Sequence, residues 1–424
     1  MIKLINKQYS KEILDTIYLL VLQVFNYAFP LFVYPYLMVT LGAEKFGYIG
    51  FSMTITQYLM LIVDFGFNLS ATKRVALHKD NKAKLEKIVA ATLLAKIALL
   101  LISFIIVLFL AFCIPQFRVY SSTLLILFLM VVGNTFSFVW LFQGLGKIRI
   151  LSFVNIISKL LILPLTFFLV RTKNDYLLAA VIQSSVYILG AIITCIIIFR
   201  NKYVSHWFKS TSNLILDEVK ASYPIFISTA ASSIYTASYV LILAYFSSPT
   251  EVGKYTAVEK IMRGFCYLIY IPISQSFYPK ISSMSATNLP EAGKLVRKIL
   301  MFIFVAMSGV FVLMFFLSPY LVDFLGKDYK GTLTLFRIMS FIPMFIGLGG
   351  VFGQLGILAI GNDADKKHFK RTYLVAAITA LVSICILAPY LQSIGASISL
   401  FLTELSVVVG MFWYSRKYIF KSIS

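Results

Sequence analysis

The sequence predicts an all-α integral membrane protein. Its twelve transmembrane helices would form two six-helix bundles, residues 1–210 and 211–424, related by a pseudo-two-fold along the membrane normal. Three observations carry that prediction. The first is composition: of 424 residues, 60% are hydrophobic and only 13% charged, whereas a soluble domain is about half apolar and a quarter charged. The second is the number of apolar runs long enough to cross a hydrocarbon core, which takes about 20 residues of helix. The third is where the cations fall between those runs.

Read in order, the runs cover residues 13–41, 46–70, 88–112, 122–145, 151–170 and 177–199, then 223–247, 256–279, 299–318, 332–360, 373–390 and 396–415. The first and tenth are overlong, and Pro30, Pro35 and Pro343 are the expected break points. Cytoplasmic loops collect Lys and Arg. With the N-terminus inside, the inner segments hold 26 of the 38 cations, the outer loops 7, and the spans themselves 5. A missed or invented helix would scramble that alternation from its position onward. Both termini are therefore expected in the cytoplasm. No secretory signal is expected, because the first run, Ile13 to Leu41, is too long for a signal h-region.

Composition also excludes functions. The net charge of +21 comes in short bursts between apolar runs, so no nucleic-acid partner is expected. Cys113, Cys195, Cys266 and Cys385 are scattered, and His78, His206 and His368 lie far apart in polar connections. No disulfide frame, metal site, cofactor or catalytic histidine is expected. Outer loops of about a dozen residues or fewer leave little room for the extramembrane catalytic segment of a membrane enzyme.

An even number of helices per half starts both halves on the same face, which is why the repeat would be parallel. Spans 2 and 8 invite comparison: "EKFGYIGFSMTITQYLMLIVDFGF" and "TEVGKYTAVEKIMRGFCYLIYIPIS" each carry an acid, a Gly and a Tyr at the start. Such a repeat would place a cavity between the bundles.

The residues that should line it are charges a bilayer resists, at about 2.5–3.5 kcal/mol each near mid-membrane. Lys96 falls in span 3, Lys159 in span 5, Asp64 near the inner end of span 2 and Glu404 in span 12. Glu259, Lys260 and Arg263 occupy the outer part of span 8, and Arg337 that of span 10. On span 8, Thr256, Glu259, Lys260, Arg263, Tyr267, Tyr270 and Ser274 recur at three- and four-residue steps and share a face. Shorter polar stripes join Ser152, Asn155 and Lys159; Gln57, Asp64 and Asn68; Gln23, Asn26 and Pro30; and Ser228, Ser232, Tyr235 and Tyr239. A striped membrane helix faces protein or water. Five cations against three acids leave a positive interior, which is costly unless an anion visits it. A phosphate or pyrophosphate would supply that anion through charge-assisted hydrogen bonds. A plainer reading stays open: Lys260, Arg263 and Arg337 could snorkel to the outer surface, and Glu259 and Arg263 could satisfy each other at i,i+4.

These stretches resemble a known family. "LGAEKFGYIGFSMTITQYLMLIVDFGFNLSATKR" is similar to the second-helix signature of the Wzx-type O-antigen flippases, "VGKYTAVEKIMRGF" with "PISQSFYPKIS" to their eighth-helix region, and "WLFQGLGKIR" to the end of their fourth span. They form the polysaccharide transporter branch of the MOP (MATE-like) superfamily. The resemblance implies movement of an undecaprenyl-pyrophosphate-linked O-antigen or related repeat unit from the inner to the outer leaflet of a bacterial inner membrane. It implies alternating access around a cationic cavity, with membrane lipids, a polymerase and a chain-length regulator as working neighbours. From the second-helix motif Asp64, Lys73 and Arg74 are carried over, the last two at the inner mouth; from the eighth, Glu259, Lys260 and Arg263. Asp64, Glu259 and Glu404 are the candidates for coupling or gating, and Lys159, Arg263, Lys260, Lys96 and Arg337 for substrate binding. The competing readings are a MATE-like cation-coupled small-molecule exporter, which would favour an acidic interior, and an enzyme of the same polysaccharide pathway.

Overall fold

The first helix, α1 (Ile2–Asp64), is 63 residues long and broken at Gly42, where φ is 70° and ψ 172°. The structure, a computed structural model, describes the backbone of residues 2–204 and 211–420. Side chains are described for all of these except 2–29, 163, 228, 231–235, 237, 363 and 364. Every regular element among the described residues is helical. Among the described residues, eight segments are long and apolar enough to cross a membrane, so the chain is a multi-pass membrane protein. Two of them, Pro30–His78 and Asp365–Ile419, have 49 and 55 residues, or about 70–80 Å of helix against a core of about 30 Å. Each is broken: the first at Gly42 and again at Phe65 and Gly66, the second at Gln392, whose φ is 49°.

Pro30 and Pro35, expected as break points, lie inside continuous helix, and the break falls at Gly42 instead. A membrane helix tolerates proline where neighbouring groups re-satisfy the freed carbonyls, whereas the positive φ at 42 is open to glycine at little cost. Pro343 does mark a break. It sits in the first turn of α12 (Ile342–Gly350), where its missing N–H has no helical partner to lose. The run 332–360 is thus three pieces: α11 (Leu333–Met339), α12, and a π-helical stretch, Val351–Leu358.

The chain packs as two compact units. Unit 1 contains Met1–Asn26 and Phe51–Ser233; unit 2 contains Tyr27–Gly50 and Ile234–Ser424. Each draws one segment from the other half of the sequence.

In unit 1, α2 (Phe67–His78), α3 (Lys82–Phe112), α4 (Ser121–Thr135), α5 (Val139–Gly144), α6 (Ile148–Leu169) and α7 (Tyr176–Arg200) follow the end of α1. Phe67, Val75, Leu85, Val89, Trp140 and Phe142 form its core. The opening of α8 (Ser212–Phe246) closes the set. Along α3, Ser103, Val107 and Ala111 are buried while Leu101, Ile105 and Phe109 are exposed. In water that outer stripe would be a defect; in a bilayer it faces its solvent.

In unit 2, residues 27–50 of α1 lie against α9 (Pro249–Thr287), beside α10 (Leu289–Leu325), α12, the π stretch and α13 (Asp363–Ile419). The α1–α9 crossing is so close that a Cβ on Gly253 would sit 1.7 Å from the Ala43 carbonyl oxygen, and one on Gly47 2.0 Å from that of Pro249. Small residues at four-residue spacing allow this backbone approach. The starts of the two stretches compared by sequence therefore pack on each other.

Candidate functional site

In unit 1 the helix break after Asp64 builds the site. Phe65 and Gly66 take positive φ, 40° and 82°, so α1 ends with Asp64 as its last residue. The fully buried Lys96 of α3 donates to an Asp64 carboxylate oxygen at 2.9 Å, and Asn134 Nδ2 of α4 donates to the same oxygen at 3.1 Å. One carboxylate thus ties three helices together. Asp64 keeps 22% of its side chain exposed, Lys96 only 2%. A buried lysine needs that partner, since an uncompensated charge there is strongly destabilising.

Beyond the break, α2 runs along the start of α8. Phe65 stacks on Phe226 with ring centroids 4.3 Å apart, and a Cβ on Gly66 would meet Ile225. Ser70 and Ser222 share a 2.5 Å hydrogen bond. Arg74 bonds to the Glu218 carboxylate and, at 3.3 Å, to the Asp217 carbonyl. Burial pushes the Glu218 carboxyl above its ordinary value, against the lowering pull of Arg74. Lys73, one residue away, points to an exposed surface. Lys159 lies in α6, half-buried, with Ser152 and Ser158 buried on the same helix and the Asn155 carbonyl without a hydrogen-bond partner among the described residues.

In unit 2 the polar stripe of α9 is the frame. Arg263 Nε donates to Glu259 at 2.9 Å and its Nη1 to the Tyr267 hydroxyl at 2.9 Å, all on one helix at four-residue steps. The buried Glu404 of α13 and the buried Tyr239 and Tyr255 lie within electrostatic range of Arg263. Arg263 Nη2 and the Tyr255 hydroxyl have no hydrogen-bond partner among the described residues, while the Tyr239 hydroxyl bonds to Thr403. Unsatisfied buried donors around one guanidinium mark a place for an oxygen-rich ligand or water. Further along α9, the Tyr270 hydroxyl and Ser274 Oγ both donate to Gln354 Oε1, at 2.9 and 2.6 Å. Gln354 belongs to the π stretch, an element enriched at functional sites. Lys260 stands over the Tyr34 ring of α1, 4.8 Å from its centroid.

Unit 1 therefore brings together Asp64 and Lys96; unit 2 brings together Glu259, Arg263 and Glu404. Arg337 is exposed and stands over the Phe315 ring at 5.6 Å, outside the Arg263 hydrogen-bond set. Asn134, Glu218 and Gln354 were not singled out in the sequence. A polar residue interrupting an apolar run was the available signal for Asn134 and Gln354, and Glu218 lay in what reads as a loop. Gln23, Asn26, Ser228, Ser232 and Tyr235 fall outside the described side chains.

Residues 14–285 match the family model described as "Polysaccharide biosynthesis protein". The chain is 33% identical over 404 residues to the "Putative O-antigen transporter" of Escherichia coli (strain K12), covering 95% of this chain and 96% of that one. The chain belongs to the polysaccharide biosynthesis protein family. A Shigella dysenteriae protein of the same printed name is 29% identical over 391 residues, with 91% and 95% covered. Among solved structures, the fold is similar to an inward-facing multidrug resistance MATE family transporter of the MOP superfamily, with TM-score 0.74, 13% identity, and 95% and 96% covered. It is also similar to the lipid II flippase MurJ in its inward closed conformation, with TM-score 0.72, 16% identity, and 97% and 91% covered.

Proposed function

We propose that this protein is a flippase that moves a lipid-linked oligosaccharide, the O-antigen repeat unit or a related polysaccharide unit on an undecaprenyl pyrophosphate carrier, from the cytoplasmic to the periplasmic leaflet of a bacterial inner membrane. The observation that carries this reading is the Arg263 group: a guanidinium with an unsatisfied Nη2 beside the unpartnered Tyr255 hydroxyl, held among membrane helices. Family membership and the O-antigen transporters named among the relatives support it. A pyrophosphate supplies the acceptors and the negative charge that this group lacks, and hydroxyls and amides suit a sugar.

In this reading Arg263, Lys260, Lys159 and Lys96 are the cations offered to the headgroup. Asp64, Glu259 and Glu404 set the balance of charge as the protein alternates between states. Each acid can release its cation to the substrate, or reclaim it, through protonation or a shift of partner. Lys73 and Arg74 lie at the inner mouth. In this reading the chain crosses the membrane twelve times, six times in each sequence half, 1–210 and 211–424, with both termini cytoplasmic. The protein makes and breaks no covalent bond; binding energy and conformational change do the work.

The test is a strain lacking the gene. It should lose surface glycan and accumulate lipid-linked intermediates, and a plasmid copy should restore both. Normal glycan in the deletion strain would contradict the proposal.

A further inference from the structure

Arg337 differs from the other membrane-embedded cations that carry a described interaction. Lys96 has Asp64, Arg263 has Glu259, and Lys260 has, besides the Tyr34 ring, the electrostatic attraction of the adjacent Glu259. Arg337 forms no ion pair among the described residues; its described contact is the face of Phe315. It sits in a cavity of about 410 Å³ in unit 2, walled by Phe315 of α10, Thr334 and Ile338 of α11, Ile398 and Phe401 of α13, and Phe341. Apart from the guanidinium and the Thr334 hydroxyl, every lining side chain is apolar. The volume lies within the range of small-ligand sites, about 300–1,000 Å³.

The surroundings select the occupant. On α10, Val312 is 47% and Phe316 66% exposed, and on α13 Leu402 is 41% exposed. Two of the helices that wall the groove thus also expose apolar side chains of the kind that meet acyl chains. A ligand held there must present an anion to Arg337 and a hydrocarbon chain to the phenylalanines. A soluble anion has no chain, and a neutral lipid leaves the arginine without a counter-charge, which is costly in an apolar setting. The guanidinium fork matches phosphate oxygens.

We infer that this groove is a binding site for an anionic phospholipid of the surrounding membrane, with its phosphate on Arg337 and Thr334 and one acyl chain along Phe315, Phe341 and Phe401. The site is separate from the Arg263 group, and the inference does not depend on what the protein transports.

The experiment uses the full chain in vesicles of phosphatidylcholine containing a phosphatidylglycerol with a photoactivatable acyl chain. Crosslinks are mapped by peptide mass spectrometry. The expected result is labelling of the segments 311–316, 334–341 and 398–402. It should fall about tenfold in Arg337→Ala, the loss expected when a charge-assisted contact is removed, and survive in part in Arg337→Lys. Excess phosphatidylglycerol should compete it away, and excess phosphatidylcholine should not. Introducing bulk with Ile398→Trp should block labelling while Arg337 stays in place. The inference is overturned if Arg337→Ala labels as the wild type does. It is equally overturned if phosphatidylcholine competes as well as phosphatidylglycerol, or if polyprenyl phosphate competes and phosphatidylglycerol does not.

Discussion

The buried charge of unit 1 and that of unit 2 are satisfied in opposite ways. Lys96 is answered from other helices: Asp64 closes α1, Lys96 comes from α3, and Asn134 from α4 joins the same carboxylate. Arg263 is answered from its own helix, by Glu259 one turn before and Tyr267 one turn after. The first arrangement holds helices to one another, so disturbing it disturbs the fold. The second travels with α9 as a single piece and keeps an unsatisfied Nη2. A group whose hydrogen bonds all come from its own helix can exchange partners without loosening the packing. We read the unit 1 pair as a clamp whose lysine is offered to substrate only when Asp64 lets it go, and the unit 2 set as the part that is ready to meet substrate without that release.

Breaking the clamp should have the largest effect. Asp64→Ala leaves a 2% exposed lysine without its acid, at a cost of about 3–5 kcal/mol. Thermal unfolding of the purified protein in detergent should register this as a marked fall. Asp64→Ala combined with Lys96→Met should recover much of the loss, because it removes both charges. If the single variant unfolds as the wild type does, the clamp reading is wrong.

Next comes Arg263. Arg263→Ala should reduce surface glycan by about tenfold to a hundredfold, the range for charged hydrogen bonds of about 1.5–3 kcal/mol, while unfolding moves little. Arg263→Lys should recover part of the export if charge dominates, and almost none if the fork does. Equal losses of stability and export would erase the distinction between the units.

The α1–α9 crossing should follow. At Gly253 an added Cβ would lie 1.7 Å from a carbonyl oxygen, while at Gly309 it would meet nothing within 4 Å. Gly253→Ala should lose about 1–3 kcal/mol, and Gly309→Ala, inside α10, should gain up to about 1 kcal/mol. Paired thermal melts decide this.

The smallest effect concerns Glu218. Its raised pKa means that, as pH falls, it takes up a proton before a free glutamate would. Protonation thus favours the folded chain over the unfolded one, while the bond to Arg74 loses its charge. Spin labels at 70 and 222 should show a distance distribution that broadens modestly as the pH is lowered and Glu218 takes up its proton. Glu218→Gln should be broad throughout; a narrow, pH-independent distribution in the wild type would argue against this switch.

How much of this was legible in the sequence depends on the range of each interaction. The helical character, the break between 41 and 46, and the turn between 390 and 396 followed from local polarity, and the structure breaks at Gly42 and Gln392. The Glu259–Arg263 pair was legible because four-residue spacing puts both on one face. The prolines misled, since Pro30 and Pro35 are absorbed within helix. Asp64 with Lys96, and Arg74 with Glu218, are 32 and 144 residues apart. Their pairing is set by tertiary packing, which one sequence does not encode visibly. The π stretch around Gln354 was illegible for a related reason: its glycines permit it, and the bonds from α9 fix it.

The most direct measurement is a flipping assay on the reconstituted full-length protein. Vesicles carry a fluorescent undecaprenyl-pyrophosphate-linked oligosaccharide, and a membrane-impermeant quencher reports which leaflet holds it. The proposal requires that wild-type protein exchange the label between leaflets, that Arg263→Ala slow exchange by about tenfold or more, and that protein-free vesicles keep it in place. Exchange as fast with Arg263→Ala as with the wild type, or none with the wild type at all, would contradict it.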